Sequence, residues 1–331
     1  MSNMIMKASA YVPMLDKIYK AASLTADLDG APELARAGAN ANELVIPRLE
    51  MDSLASYDRN GGYTGGDVTL THETVVCDYD RGRMFQVDNM DNQESVNQAF
   101  GQLSGEFIRT KVSPEHDAYR FAKYASKPGV SVMSGMLVDG QAAIAALREA
   151  TNRMDEDEVN TESRYLYITP SLKGAIEDLD LTKSKAIFER FAKVITVPQT
   201  RFYTAIDLLD GKTPGQERGG FRCAAPTYAP TSDETVVEGK IYYTADGVVA
   251  TPVAAPATEG LYEMVSVGGK AINFMVIEKS AVIQFPKCQV PKLIEPSANQ
   301  DADAWKFGFR LVSVADVYEN KVAGIYVHHQ A

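Results

Sequence analysis

Along residues 67–76 hydrophobic and polar positions never separate onto two faces. In an extended strand Val68, Leu70, His72, Thr74 and Val76 share one side, and Asp67, Thr69, Thr71, Glu73 and Val75 share the other. The β-branched content predicts strand. This strand lies in a longer ribbon, from about Glu43 to Asp91, whose loop chemistry sits at Asn60-Gly61-Gly62 and Gly65-Gly66-Asp67. A ribbon polar on both faces has no core side to set its register, and its edges stay open to pairing. It is expected to lie on another chain.

Helical periodicity takes over next. Val96, Phe100, Leu103 and Phe107 fall on one helix face, with Gly101 and Gly105 as interior blemishes. A second helix is predicted to restart at Ser113, with Ser113 as N-cap, Pro114 in the first turn and Glu115 complementing the dipole. Ala118, Phe121, Ala122 and Ala125 give it an apolar stripe, and Pro128-Gly129 ends it. A third helix spans Asp139 to Met154, with Ile144, Leu147, Thr151 and Met154 inward. The acidic run Asp155 to Glu158 reads as a solvated loop. A strand from Arg164 to Ile168 follows, then a helix capped by Thr169, a helix from Lys183 to Phe191 and a strand from Lys193 to Val197. Residues 211–263 are dense in Pro, Gly, Thr and Ala, with short strands at 240–244 and 247–251 around Ala245-Asp246-Gly247. They read as an inserted β module or a long surface loop. Firm strands return at 272–277, 281–285, 305–317 and 322–327, with Glu319-Asn320-Lys321 as the turn that sends the last strand back. The whole is α+β.

Residues 1–42 read as an arm. Lys7 to Lys20 has room for a short helix, and Leu24 to Asn42 is too rich in Ala, Gly, Asn and Asp to bury much. The N-terminus lacks the charged-then-apolar order of a signal peptide, and no apolar run approaches membrane-spanning length. At 331 residues there is room for about two domains. A formal net charge of -11 argues against nucleic-acid binding through a generally basic surface.

Candidate chemistry is sparse. Cys77, Cys223 and Cys288 are far apart and odd in number, giving neither a disulfide framework nor a zinc spacing. His72, His116, His328 and His329 form no helical metal pair, and the last two read as a solvated tail. Asp301 and Asp303 read as a polar turn and lack the spacing of a calcium loop. The glycines of residues 60–66 lack the P-loop spacing and its Lys, and a nucleophile elbow is absent. No catalytic, cofactor-binding or metal-binding residue is assigned. Asp58, Arg59, Asp78, Asp80, Arg81 and Arg83 lie near the base and body of the ribbon. A thin ribbon offers no dry pocket for catalysis, so these charges are read as inter-subunit ion-pair candidates.

Several pieces in order resemble a tailed-bacteriophage major capsid protein. They are YDRNGGYTGGDVTLTHET, DRGRMFQVDNMDNQES and VSPEHDAYRFAKYAS early in the chain, and INFMVIEKSAVIQF and ANQDADAWKFGFRLVSVADVYENKVAGIYVHH at its end. The resemblance implies an HK-97-like fold. Residues 1–42 would form the N-terminal arm, 43–91 the extended loop, 92–168 and 290–331 the peripheral domain with its spine helix, and 169–289 the axial domain with 211–263 inserted. It also implies no enzymatic activity and no cofactor. Pentamers and hexamers would build an icosahedral head shell in the virion around packaged double-stranded DNA bound without sequence specificity, with no membrane. Folding and assembly would take place in the bacterial host cytoplasm. The arm is too short to hold an internal scaffolding domain, so a separate scaffolding protein is implied, with a portal and decoration proteins as further partners. Two other readings stand beside this one: an encapsulin-like compartment shell, and a soluble hydrolase or ligand-binding protein with a long hairpin.

Replacing residues 215–260 by a brief linker is expected to leave a soluble, folded chain. Complete loss of soluble protein on expression would make that segment part of the core.

Overall fold

A computed structural model of the protein describes residues 22–30, 36–37, 43–59, 61–90, 98–179, 182–231, 241–247, 249–250 and 261–331. Strands β1 (Arg36–Ala37), β2 (Glu43–Met51), β3 (Val68–Val76) and β4 (Tyr79–Asp88) come first. Helices α1 (Gln98–Phe107) and α2 (Ser113–Ser126) follow, joined by a π turn over Ile108–Val112. Next come β5 (Ser131–Ser134), α3 (Gly140–Glu156), β6 (Arg164–Ile168), α4 (Pro170–Glu177), α5 (Thr182–Phe188) and β7 (Lys193–Thr196). Then come β8 (Ile206–Leu209), β9 (Gly220–Cys223), β10 (Thr227–Pro230), β11 (Tyr242–Tyr243), β12 (Val249–Ala250) and β13 (Tyr262–Ser266). The chain closes with β14 (Ile272–Glu278), β15 (Val282–Ile294), β16 (Ala304–Val317) and β17 (Ile325–His329). Two compact units result, one built on residues 25–109 and 282–318, the other on 22–24, 110–281 and 319–331.

In the first unit β16 is the organising strand, paired antiparallel with β15 on one side and β4 on the other. Along β16 Phe307, Phe309 and Leu311 are buried while Arg310 on the other face is exposed. Phe107 supplies the cover, its ring edge-on to Phe85 at 4.7 Å and 6.4 Å from both Phe307 and Phe309. Such aromatic pairs add about 1 kcal/mol each beyond their burial. The edge strand β15 carries Pro286 and Pro291, which have no N–H to offer a foreign strand. Near its start Gln284 is buried, and its side-chain amide donates to the carbonyl of Thr25 and to Asp29, both at 2.7 Å.

The second unit is built on a five-stranded sheet of order β5-β17-β14-β6-β7. Every residue of β14 is buried. Helix α3 is capped by Asp139, whose carboxylate accepts the N–H of Ala142 at 2.8 Å. From it Ile144, Leu147, Ala150 and Met154 pack against Leu166, Ile168, Phe274 and Val276 of the sheet. Thr151 is also buried on that side, so the predicted inward face holds. Burying each such aliphatic side chain contributes roughly 1.5–3 kcal/mol. The 211–263 segment forms a small sheet of order β10-β13-β11-β12, with the expected turn at Thr244–Gly247 and Gly247 at φ 78°.

Several expectations are corrected. The α-helix restarts at Ser113 as expected, but Ser113 is not its N-cap: Val112 before it is itself helical and no side-chain cap forms. The helix instead passes through the π turn. Pro114 has no N–H for the carbonyl of Thr110, and widening the turn there accommodates it. Strand β4 is not part of the ribbon but belongs to the β15-β16-β4 sheet. The last strand does not return along β16: after a 3-10 stretch over Glu319–Gly324, β17 pairs with β14 and β5. Consequently the five-stranded sheet joins strands from segments that the sequence reading divides between two domains. The acidic run is not wholly solvated. Asp155 pairs at 2.6 Å with Arg164, whose side chain is only 2% exposed and which also donates to the carbonyls of Val159 and Asn160. The helix over 7–20, and the first part of the Val96–Phe107 stripe, lie outside the described residues.

Gly140 sits at the start of α3 against α4. A Cβ there would stand 2.1 Å from the carbonyl oxygen of Ala175, a backbone atom that cannot yield cheaply. Gly140→Ala is expected to lower the unfolding free energy by about 1–3 kcal/mol in urea titration. Gly174→Ala, which meets open space, is expected to be neutral or to stabilise by up to about 1 kcal/mol.

Candidate functional site

The ribbon formed by β2 and β3 is rooted and then bare. At its root Ile46 and Val75 are 6% and 2% exposed, and they cluster with Cys77, Ile283, Val312 and Val314. That burial settles the register the sequence left open, since a slip by one residue would expose the root. Burial also pushes the Cys77 thiol above its ordinary value.

Beyond the root the antiparallel register pairs Leu49 with Leu70 and Met51 with Val68. Directly opposed residues share a face, so these four form one apolar patch, each more than half exposed. The opposite face is polar there: Arg48 pairs with Glu50 at 2.7 Å, opposite Thr71 and Thr69. The predicted absence of an apolar face holds for β3 taken alone. It fails for the pair, because β2 contributes Leu49 and Met51 to the face that carries Leu70 and Val68. Among the described residues β1 covers the outer edge of β2 at Leu44 and Val45, and Pro47 further along has no N–H to offer a foreign strand.

The tip has its own local order. Asp58 and Gly62 exchange two backbone hydrogen bonds, Gly62 takes φ 82°, and the rings of Tyr57 and Tyr63 meet edge-on at 4.9 Å. Leu54 and Tyr63 are almost wholly exposed.

The six candidate charges do not form one cluster. Asp58 and Arg59 lie at the tip, beyond nine-residue strands about 30 Å long. Asp78, Asp80, Arg81 and Arg83 lie just before or on β4, where Arg81 faces Leu311 and Arg83 faces Phe309 across the ladder. Asp80 is engaged within the chain: Arg310 donates to both its oxygens, at 2.8 and 2.5 Å. That fork holds the Asp80 carboxyl below the usual carboxylate range. Arg310 was missed in the sequence because its partner is 230 residues away; alternation along β16 was the only signal, marking it as outward-facing.

The remaining candidates separate cleanly. His328 is not a solvated tail residue: it is 4% exposed, stacked on Phe274 at 5.1 Å, with Nδ1 3.0 Å from the side-chain nitrogen of Asn273. That nitrogen can only donate, so Nδ1 accepts, and burial, with His329 beside it, pushes the imidazole below its ordinary value. His116 is fully buried and pushed down by burial and then by Arg120, while His72 is exposed on the ribbon. Asp301 pairs with Lys306 at 2.5 Å. The three cysteines are free thiols. Among the described residues no group of His, Cys, Asp and Glu could hold a metal ion, and no helix is long and apolar enough to cross a membrane.

No protein-family model matches the chain, and no curated protein does. Solved structures do. A chain from the mature capsid of bacteriophage PhiM1 superposes with a TM-score of 0.51 at 8% identity, over 88% of this chain and 82% of that one. The capsid of cyanophage P-SCSP1u gives 0.49 at 13% identity, over 88% and 84%. A virus-like particle from Pyrococcus furiosus gives 0.49 at 8% identity, over 96% and 99%. At such identities the likeness is one of fold. The chain has the tailed-phage major capsid protein fold, of the HK-97 type.

Asp80→Asn is expected to cost no more than about 1 kcal/mol at neutral pH, as for an exposed pair. The folded pKa of Asp80 lies below its unfolded value. The contribution is therefore full above about pH 4 and is lost as pH falls through the folded value. Urea titrations of both proteins across pH 2.5–7 check this, and the difference should close at the acid end.

Proposed function

We propose that the protein is a major capsid protein: a structural subunit, not an enzyme, whose copies close into an icosahedral shell around packaged double-stranded DNA. The observation that carries this is the ribbon, an ordered arm that leaves Leu49, Met51, Val68 and Leu70 in water. An isolated two-stranded ribbon is marginal at best, and an exposed apolar patch on it calls for a covering surface. Another copy of the chain supplies one, and the fold supports that reading. Residues 43–76 then serve as the extended loop, without β4, and residues 1–42 as the arm. The peripheral and axial domains share the remainder, with the sheet β5-β17-β14-β6-β7 kept whole within one of them and 211–263 as the insertion. Pentamers and hexamers, a separate scaffolding protein, a portal and a place in the virion belong to the same reading. Asp58, Arg59, Asp78, Asp80, Arg81 and Arg83 are its inter-subunit ion-pair candidates, and Asp80 also pairs with Arg310 of its own chain. Strength comes from many weak interfaces acting together.

The test is expression with the scaffolding protein, followed by electron microscopy. Closed shells are expected, and a population of small species alone would overturn the proposal. Leu49→Asp with Leu70→Asp is expected to abolish shells while circular dichroism and thermal unfolding stay those of the parent. Arg81→Ala with Arg83→Ala is expected to impair assembly more than folding. Equal loss of folded subunit and of shells would remove the ribbon from the interface in the first pair and β4 in the second.

A further inference from the structure

We propose that His328, Asn273 and Gly135 form an acid-sensitive latch, which fastens the edge strand β5 to its sheet and lets it go when the His328 imidazole takes up a proton. The latch starts from an irregularity in β14. Opposite β17, Ile272 pairs with His329 and Phe274 with His328, so Asn273 is the extra residue of a bulge. A bulge re-aims the side chain it carries. Here the Asn273 side chain is buried. Its nitrogen reaches two partners, the carbonyl of Gly135 at 3.2 Å and Nδ1 of His328 at 3.0 Å. Gly135 also lies against the imidazole ring, since a Cβ there would stand 3.6 Å from Nε2.

The hydrogen-bonding roles are forced. A carbonyl oxygen only accepts, so Gly135 fixes which end of the Asn273 amide faces it. That amide nitrogen only donates, so Nδ1 of His328 accepts and the neutral ring carries its proton on Nε2. A second proton goes to Nδ1, and two donors then face each other. Turning the Asn273 amide over meets the new N–H but sets its oxygen against the carbonyl of Gly135. Either way one bond is lost, and burial of His328 and Asn273 keeps bulk water from replacing it. What the latch supports is slight. Among the described residues β5 is an outermost strand that pairs with β17 alone, over Ser131–Ser134, and the N–H of Gly135 adds one bond to the carbonyl of His329 at 3.0 Å. An edge this short is where local opening begins, and its release bares the edge of β17.

The groups around the ring leave the response to His328. Asn273 and Phe274 of β14, Met133 of β5 and Gly135 do not titrate. Tyr326 of β17 is held above its ordinary value and stays neutral in acid, and Glu149 and Arg153 of α3 bear on that tyrosine. His329 is the charged neighbour that acts on His328. Burial first, and His329 second, hold the imidazole below its ordinary value. The folded pKa thus lies below the unfolded one. The latch is whole above about pH 6.5, weakens as the pH falls below that, and is lost past the folded value. The inference does not rest on the shell reading.

Amide hydrogen exchange on the full chain, kept unassembled as checked by sedimentation, tests it between about pH 7.5 and about pH 4, with each rate taken relative to the free peptide at that pH. Protection of residues 131–135 is expected to fall about ten-fold per pH unit once His328 begins to titrate, with β14 unchanged. His328→Gln, which is neutral at every pH, is expected to show no such fall. Nitrogen NMR of the labelled histidines in the parent gives a second reading that needs no variant. Nδ1 of His328 is expected to be unprotonated at neutral pH, and to gain its proton over the interval in which β5 loses protection. Constant protection, a fall that β14 shares, the same fall in His328→Gln, or protonation of His328 outside that interval overturns the proposal.

Discussion

A two-stranded ribbon has too little surface of its own to stay folded, and this chain meets that constraint at one place. Ile46 and Val75 are driven into a cluster with Ile283, Val312 and Val314, which come from β15 and β16. The anchoring strands lie more than 200 residues further along the chain, so the ribbon cannot be set until the long β15-β16 pair has formed. Everything beyond that root is held by ladder hydrogen bonds and a few local contacts. The tip turn at Asp58–Gly62 and the Arg48–Glu50 pair are examples. The ribbon is thus ordered enough to present a patch and too exposed to be a finished structure.

The second unit is built the opposite way. Its sheet is buried through β14 and closed on one face by α3, α4 and α5, so its stability is internal. Several of its buried polar groups are paired: Asp117 holds Ser23, Leu24 and Arg201, Arg164 is shared between Asp155 and two carbonyls, and His328 is fixed by Asn273. Buried charges and dipoles with partners restrict the chain to one arrangement, because each would be costly without its partner. A self-sufficient sheet in one unit and a bare ribbon in the other suit a protein that must fold alone and finish its burial in company.

Local patterns were readable where one element decides its own surface. The inward stripe of α3 and its Asp139 cap, the strand at 164–168, the Phe307–Phe309–Leu311 alternation and the Gly247 turn all follow from period and capping chemistry within a few residues. The failures share one cause. Ser113 looked like a cap because Ser-Pro-Glu is a start signal. Whether a helix already arrives there depends on residues upstream and on a π turn that no short motif encodes. The two histidines near the chain end looked solvated by position, yet β17 is an inner strand and buries the first of them. The return of the last strand onto β16 was the natural hairpin reading, and only the partner strands overrule it.

The sequence by itself determined the extended ribbon, the helices with their inward stripes and the lack of any recognisable catalytic motif. These depend on side-chain spacing within an element, which is covalent. The tertiary structure alone decided the ribbon's register, its apolar patch of Leu49, Met51, Val68 and Leu70, and the capture of Asp80 by Arg310. It also decided which sheet each late strand joins. Each of these is a pairing between residues far apart in the chain. Sequence spacing cannot specify such a pairing, because its energy is realised only when burial brings both members to one place.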